Sequence, residues 1–217
     1  MVTVDTGSAA RSRRLTWTIG GVLLVLSALT GLAGQSTLPS LNAATLPLFG
    51  LGATVLAIGI GRPGSVTARR PLGTGAILAL VIVLVVVRPL LTHALLPSPV
   101  EAIRSVGPFP SLAVADLVLT VVELSCAIVA VVRIARQGVV PSPWRLAPLW
   151  ALCTVAVTQA IAMLLVSIPG LDAGAVVGVV AGLSVIRSAA IVFLGIVAIV
   201  LGALADPRAV TLLSSRE

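Results

Sequence analysis

The fold is decided by residues 73–96, GTGAILALVIVLVVVRPLLTHALL, in which Arg88 is the one charged residue. At a rise of ~1.5 Å per residue, a helix of this length crosses the ~30 Å hydrocarbon core of a bilayer. A spanning strand would instead need a closed barrel and alternating apolar and polar residues, and the stretch does not alternate. It therefore predicts a transmembrane helix.

Five further apolar stretches have similar lengths: residues 15–34, 43–61, 111–132, 147–168 and 176–205. Short charged or turn-forming segments separate them, so neighbouring helices should be antiparallel. The sequence thus predicts an all-α, polytopic bundle of about six transmembrane helices. Residues 15–205 would form the membrane domain, with residues 1–14 and 206–217 as cytoplasmic ends.

Composition supports this class. The chain is 58% hydrophobic and 10% charged, with a mean hydropathy of +1.18, whereas soluble domains are ~45–50% apolar and ~25% charged. These values exclude a soluble globular protein.

The net charge of +7 comes from arginine, since the chain has no lysine. Nucleic-acid binding would require a basic face with stacking aromatics or a known motif, and neither is found. With both termini in the cytoplasm, every interhelical arginine except Arg104 lies on the inner side, as the positive-inside rule requires. The lysine-free, Ala- and Val-rich composition is typical of a bacterial genome rich in G and C, which indicates the bacterial cytoplasmic membrane.

The first stretch has an alternative interpretation as a secretory signal peptide, because it has a basic start and small residues at its end. Its apolar run exceeds the ~7–15 residues of a signal core, which favours a retained helix. Gln35 stands where a lipoprotein signal would require a cysteine, so lipidation there is excluded.

Four ionisable residues fall inside the apolar stretches: Arg88, Asp116, Glu123 and Arg187. Each costs ~2.5–3.5 kcal/mol at the middle of a membrane helix, which makes them candidates for a functional site. Counted from the outer helix ends, Arg88 would lie ~12 Å deep, Asp116 ~7 Å and Glu123 ~18 Å. We expect all four to share the outer half of the bilayer.

Polar neighbours extend this set. Asp116, Thr120 and Glu123 are spaced i, i+4, i+7 and so form one stripe on the fourth helix. Gln159 would lie ~13 Å from the outer end of the fifth helix, and Ser184 shares a helical face with Arg187 on the sixth. The candidate binding residues are therefore Arg88, Asp116, Thr120, Glu123, Gln159 and Arg187.

The charges allow two interpretations. They could form two structural ion bridges, Arg88 with one acid and Arg187 with the other. They could instead line a water-accessible pocket, open to the outside, in which arginine binds an anionic or polar group through its planar fork. Glu123 would be free to carry a proton if it has no close arginine.

Other features are less specific. Pro89 should distort the third helix beside Arg88, because it removes a backbone hydrogen bond. Three tryptophans near the inner helix ends are expected to anchor the protein at the interface: Trp17, Trp144 and Trp150. Several glycines at small-xxx-small spacing predict close helix packing: Gly174, Gly178 and Gly182.

The sequence contains no catalytic motif, and Cys126, Cys153 and His93 are too few for a metal site, so we expect no metal and no cofactor. The leading hypothesis is a protein that binds or transports a small polar or anionic solute. One alternative is an intramembrane enzyme that uses Asp116 or Glu123 as an acid on a lipid or isoprenoid substrate. Another is a structural or assembly subunit that packs against a membrane-protein partner or a second copy of itself.

The predicted topology can be tested by cysteine labelling. In a background without the two native cysteines, Ser36→Cys and Ser98→Cys should react with an impermeant reagent added outside intact cells. Ser65→Cys and Ser142→Cys should react only after the membrane is permeabilised. The opposite labelling pattern would reverse the orientation.

Overall fold

The computed structural model of the chain describes residues 6–36, 38–59, 71–95, 110–137, 144–168 and 172–204. All regular secondary structure within these ranges is helical. Six of the described helices are long and apolar enough to cross a membrane. The prediction of an all-α, multi-pass membrane bundle is therefore confirmed.

The helices have the following bounds. The first is Thr6–Ser36, the second Pro39–Ile58, the fourth Pro110–Gln137, the fifth Ala147–Ser167 and the sixth Ala173–Leu204. The third consists of two α-helical parts, Pro71–Ile82 and Arg88–Leu95, joined by a π-helical turn over Val83–Val87. A 3₁₀ turn, Trp144–Leu146, precedes the fifth helix.

Local sequence explains several of the helix starts. Prolines lie in the first turn of the second and fifth helices, where a missing N–H costs little. At the sixth helix, the Asp172 carboxylate accepts the backbone N–H of Ala175 at 2.8 Å, which satisfies one of the unpaired donors of the first turn.

The first helix is the centre of the packing, because it contacts both the second and the sixth helix extensively. A Cβ added to Gly20 would lie 2.5 Å from Leu56 Cγ on the second helix. A Cβ added to Gly21 would lie 2.5 Å from the Gly195 carbonyl oxygen on the sixth. Only glycine permits this approach on both sides.

The first helix begins at Thr6, before its apolar stretch, and Trp17 on this helix lies in the core. Trp17 is 2% exposed and packs with Ala147, Val197 and Leu201. The guanidinium of Arg13 lies 5.0 Å from the centre of its ring. The expectation that Trp17 anchors the protein at a lipid interface is therefore wrong. Trp150, by contrast, is 68% exposed, and its place at the interface stays a prediction.

Most of the other contacts join helices that are neighbours along the chain. The second helix packs against the third, the third against the fourth, and the fifth against the sixth, whereas the fourth and fifth contact each other sparsely. Two pairs of helices, the third with the fourth and the fifth with the sixth, are thus connected chiefly through the first two helices.

Gly21→Leu tests the close contact of the first and sixth helices. The new side chain would collide with backbone, and such overpacking typically costs ~1–3 kcal/mol. We expect a lower unfolding temperature of the purified protein in detergent.

Gly75→Ala is the matched control, because an added Cβ there meets nothing within 4 Å. Alanine favours a helix over glycine by up to ~1 kcal/mol, so this variant should be as stable as the wild type or more so. Equal stability of the Gly21 variant and this control would contradict the packing described.

Candidate functional site

Arg88 binds both acids of the fourth helix. Its Nη1 donates to Glu123 Oε2 at 3.0 Å and to Oε1 at 3.2 Å, and its Nη2 donates to Asp116 Oδ1. The two carboxylates lie two helical turns apart on one face, as their spacing predicted. These three residues are called the Arg88 cluster below.

Thr120 lies between the two acids along the helix but does not contact Arg88 through its hydroxyl. That hydroxyl donates to the backbone carbonyl of Asp116 at 2.8 Å. The side chain of Glu123 is 13% exposed and that of Asp116 45% exposed. The cluster therefore extends from a nearly buried carboxylate, Glu123, to a more exposed one, Asp116, near the N-terminal end of the helix.

The π-helical turn explains how the third helix accommodates Pro89. Proline has no N–H, and in a regular α-helix its ring would crowd the carbonyl of Val85. The turn widens here, and the N–H of Arg88 donates to the carbonyl of Val83, five residues back. The distortion predicted at Pro89 is thus present as a π turn. Such a turn resembles the insertion of one residue, which corresponds to ~100° of rotation for the Arg88 side chain.

Arg187 is not part of this cluster. Its Nη1 donates to Gln159 Oε1 at 3.2 Å, which joins the fifth and sixth helices. Among the described residues, Arg187 forms no ion pair with either acid. The interpretation that each arginine takes one acid is therefore wrong. Both acids face the third helix from one side of the fourth, and Arg88 engages both.

The first helix also reaches this second polar group. The Ser184 hydroxyl, one turn before Arg187, lies 2.6 Å from both Gln35 Oε1 and the Ala181 carbonyl oxygen. Sequence reasoning missed Gln35 as a polar partner. The signal that could have found it is its position as a polar residue at the C-terminal end of the apolar first helix. Arg187, Gln159, Ser184 and Gln35 are called the Arg187 group below.

The two groups differ in charge. The Arg88 cluster combines one guanidinium with two carboxylates, so with all three ionised it has an excess of negative charge. The Arg187 group contains one guanidinium, which donates to the neutral amide of Gln159. The condition for Glu123 to act as a free proton carrier, the absence of a close arginine, is not met.

Within the described ranges, no three His, Cys, Asp or Glu side chains come together in an arrangement that could hold a metal ion. No protein-family model, no curated protein and no solved structure matches the chain. The two polar groups are therefore the observations from which a function can be inferred.

Arg88→Leu should strongly destabilise the bundle, because it leaves two carboxylates without their cation. Removing one partner of a buried ion pair typically costs ~3–5 kcal/mol. The loss should appear as a lower unfolding temperature in detergent. Adding Asp116→Asn and Glu123→Gln to Arg88→Leu should restore part of the stability, since no orphaned charge then remains.

Arg187→Leu is the comparison variant. It removes a guanidinium that binds a neutral amide, so it leaves no buried charge behind and should lower stability less. If Arg88→Leu were as stable as the wild type, the Arg88 cluster would not be a structural bridge.

Proposed function

We propose that this multi-pass protein resides in the bacterial cytoplasmic membrane, with both termini inside, and binds and transports a small polar or anionic solute from the outer side. The observation that carries the proposal is the contrast between the two intramembrane arginines. Arg88 is held by two carboxylates, whereas Arg187 is exposed and donates to the neutral Gln159.

The contrast between Arg88 and Arg187 matters because an uncompensated charge in the membrane is costly. A guanidinium within an apolar helix must face water, an anion or a polar partner, because hydrocarbon does not solvate it. Gln159 supplies hydrogen-bonding capacity but no charge. A solute that brings negative charge to Arg187 would supply the missing compensation, and this supports Arg187 and Gln159 as the binding residues.

The Arg88 cluster then has a different role. Arg88, Asp116 and Glu123 fix the third helix against the fourth, with Thr120 bonded to its own backbone between the acids. The sequence allowed two interpretations of the intramembrane charges, a structural ion bridge and a solute site. In this proposal the first applies to Arg88 and the second to Arg187.

An intramembrane enzyme would need Asp116 or Glu123 as a free proton donor. Both side chains instead accept hydrogen bonds from Arg88. This geometry favours solute binding over acid catalysis.

A second candidate function, assembly with a partner helix, is favoured by the outer half of the sixth helix. A Cβ added to Gly178 or Gly182 would meet nothing within 4 Å, whereas one added to Gly195 on the same helix would lie 2.7 Å from the Gly21 carbonyl oxygen. The stripe of small residues is therefore open where the first helix does not cover it. A second copy of the chain or another membrane protein could pack there at close range.

Arg187→Gln tests the proposed solute site. Loss of one charge-assisted hydrogen bond should weaken an anionic ligand by ~1.5–3 kcal/mol. The measurement is the thermal shift of purified protein with a panel of carboxylates, phosphates and amines, because a ligand that binds only the folded state raises its apparent stability.

Thr120→Val serves as the matched control, since Thr120 is an intramembrane polar residue whose hydroxyl bonds to its own helix. This variant should respond to ligands as the wild type does. A full response in Arg187→Gln would remove Arg187 from the binding site and leave the assembly function as the better account.

A further inference from the structure

The hydrogen bond between Arg187 and Gln159 fixes the orientation of the Gln159 amide. A guanidinium has five N–H donors and no acceptor, so the amide must present its oxygen to it. Gln159 Oε1 accepts from Arg187 Nη1 at 3.2 Å. The amide nitrogen of Gln159, with two N–H donors, is therefore turned away from the arginine.

At the Arg187–Gln159 pair, most of the hydrogen-bonding capacity that remains consists of donors. In the described part of the chain, no acceptor binds the Gln159 amide nitrogen, and one guanidinium nitrogen of Arg187 is engaged. Arg187 and Gln159 thus offer several N–H donors together with a positive charge, while one of the two lone pairs of the Gln159 amide oxygen is already used by Arg187. Arg187 is exposed at the surface of the bundle, and Gln159 beside it is half-buried.

This polarity discriminates between classes of solute. An ammonium group has donors alone and would meet donors and a like charge. A neutral amide brings no charge to Arg187, and its N–H groups would find one lone pair of Gln159 Oε1 as an acceptor. The ionised oxygens of a carboxylate or phosphate group are acceptors and carry the compensating charge, so they match the site in both respects.

We infer that Arg187 and Gln159 together bind an oxyanion, a carboxylate or phosphate group, and that Gln159 is the residue that selects for it. This inference rests on the proposed solute-binding function and narrows its substrate class. The oxyanion belongs either to a soluble molecule or to the headgroup of an anionic lipid, since both present the same chemistry at the outer half of the membrane.

The test compares four soluble probes at constant ionic strength, in a detergent without phosphate groups: inorganic phosphate, acetate, acetamide and methylammonium. Acetate and acetamide have nearly the same shape, so a difference between them reports on charge and acceptor count. Phosphate and acetate should raise the unfolding temperature of the wild type, and acetamide and methylammonium should not.

Variants at Gln159 give the sharper result. Gln159→Glu places a carboxylate of nearly the same shape beside Arg187, so the response to phosphate and acetate should be lost while the fold is retained. Gln159→Leu removes the amide donors but keeps the arginine, and should weaken oxyanion binding by about 2- to 10-fold. Arg187→Gln should weaken it by roughly 10- to 150-fold.

A lipid arm identifies the source of the oxyanion. Phosphatidylglycerol added to the detergent should stabilise the protein, in an Arg187-dependent manner, if the ligand is a headgroup. If the ligand is soluble, the response should be confined to phosphate and acetate. Either pattern supports the inference of an oxyanion site.

Two outcomes distinguish a failure of the oxyanion inference from a failure of the proposed solute-binding function. If acetamide or methylammonium stabilises the wild type as well as acetate does, and this requires Arg187, the solute site stands but the oxyanion inference is overturned. If every response persists in Arg187→Gln, both fall. Absence of any stabilisation by phosphate, acetate or phosphatidylglycerol would also overturn the inference.

Discussion

A guanidinium inside a bundle of apolar helices requires a nearby anion or water, and Arg88 meets this requirement by binding two carboxylates on one neighbouring helix. Desolvation cancels much of the attraction in such pairs, so the cluster adds little net stability compared with apolar packing. The cluster instead makes the packing of the third helix against the fourth specific. Because Arg88 must reach two acids that lie two turns apart, the third helix has one position along the fourth helix and one rotation about its own axis. The π turn before Arg88 belongs to the same constraint, because it sets the direction in which the side chain leaves the helix.

Close packing of the first helix complements these polar contacts. Lipid tails are as apolar as leucine, so helices associate in a membrane by van der Waals contact and hydrogen bonds. Gly20 and Gly21 bring the first helix against the second and sixth helices, respectively, and the buried hydroxyl of Ser27 donates to the Thr45 carbonyl oxygen at 2.8 Å. This central helix separates the pair that carries the Arg88 cluster from the pair that carries Arg187. The two arginines therefore have different neighbours despite similar sequence surroundings.

The sequence predicted correctly those features that depend on the residues of a single helix. Length and apolarity located the six spans, and helical periodicity placed Asp116 and Glu123 on a common face. The errors concern relations between helices. Charge balance suggested an acid for Arg187, but the rotation of the fourth helix directs both acids to Arg88. Trp17 was expected at the lipid interface, yet its neighbours come from the fifth and sixth helices, which no local pattern reveals.

The order in which the chain is synthesised gives the Arg88 cluster a further consequence. Its carboxylates come 28 and 35 residues after Arg88, so the third helix leaves the ribosome before its counter-charges do. Insertion of that helix alone would carry the ~2.5–3.5 kcal/mol cost of an unpaired arginine at its centre. Arg187 differs, because Gln159 lies 28 residues earlier and is already in place. The third and fourth helices are thus expected to enter the bilayer together as a hairpin, whereas the sixth docks onto a partner that precedes it.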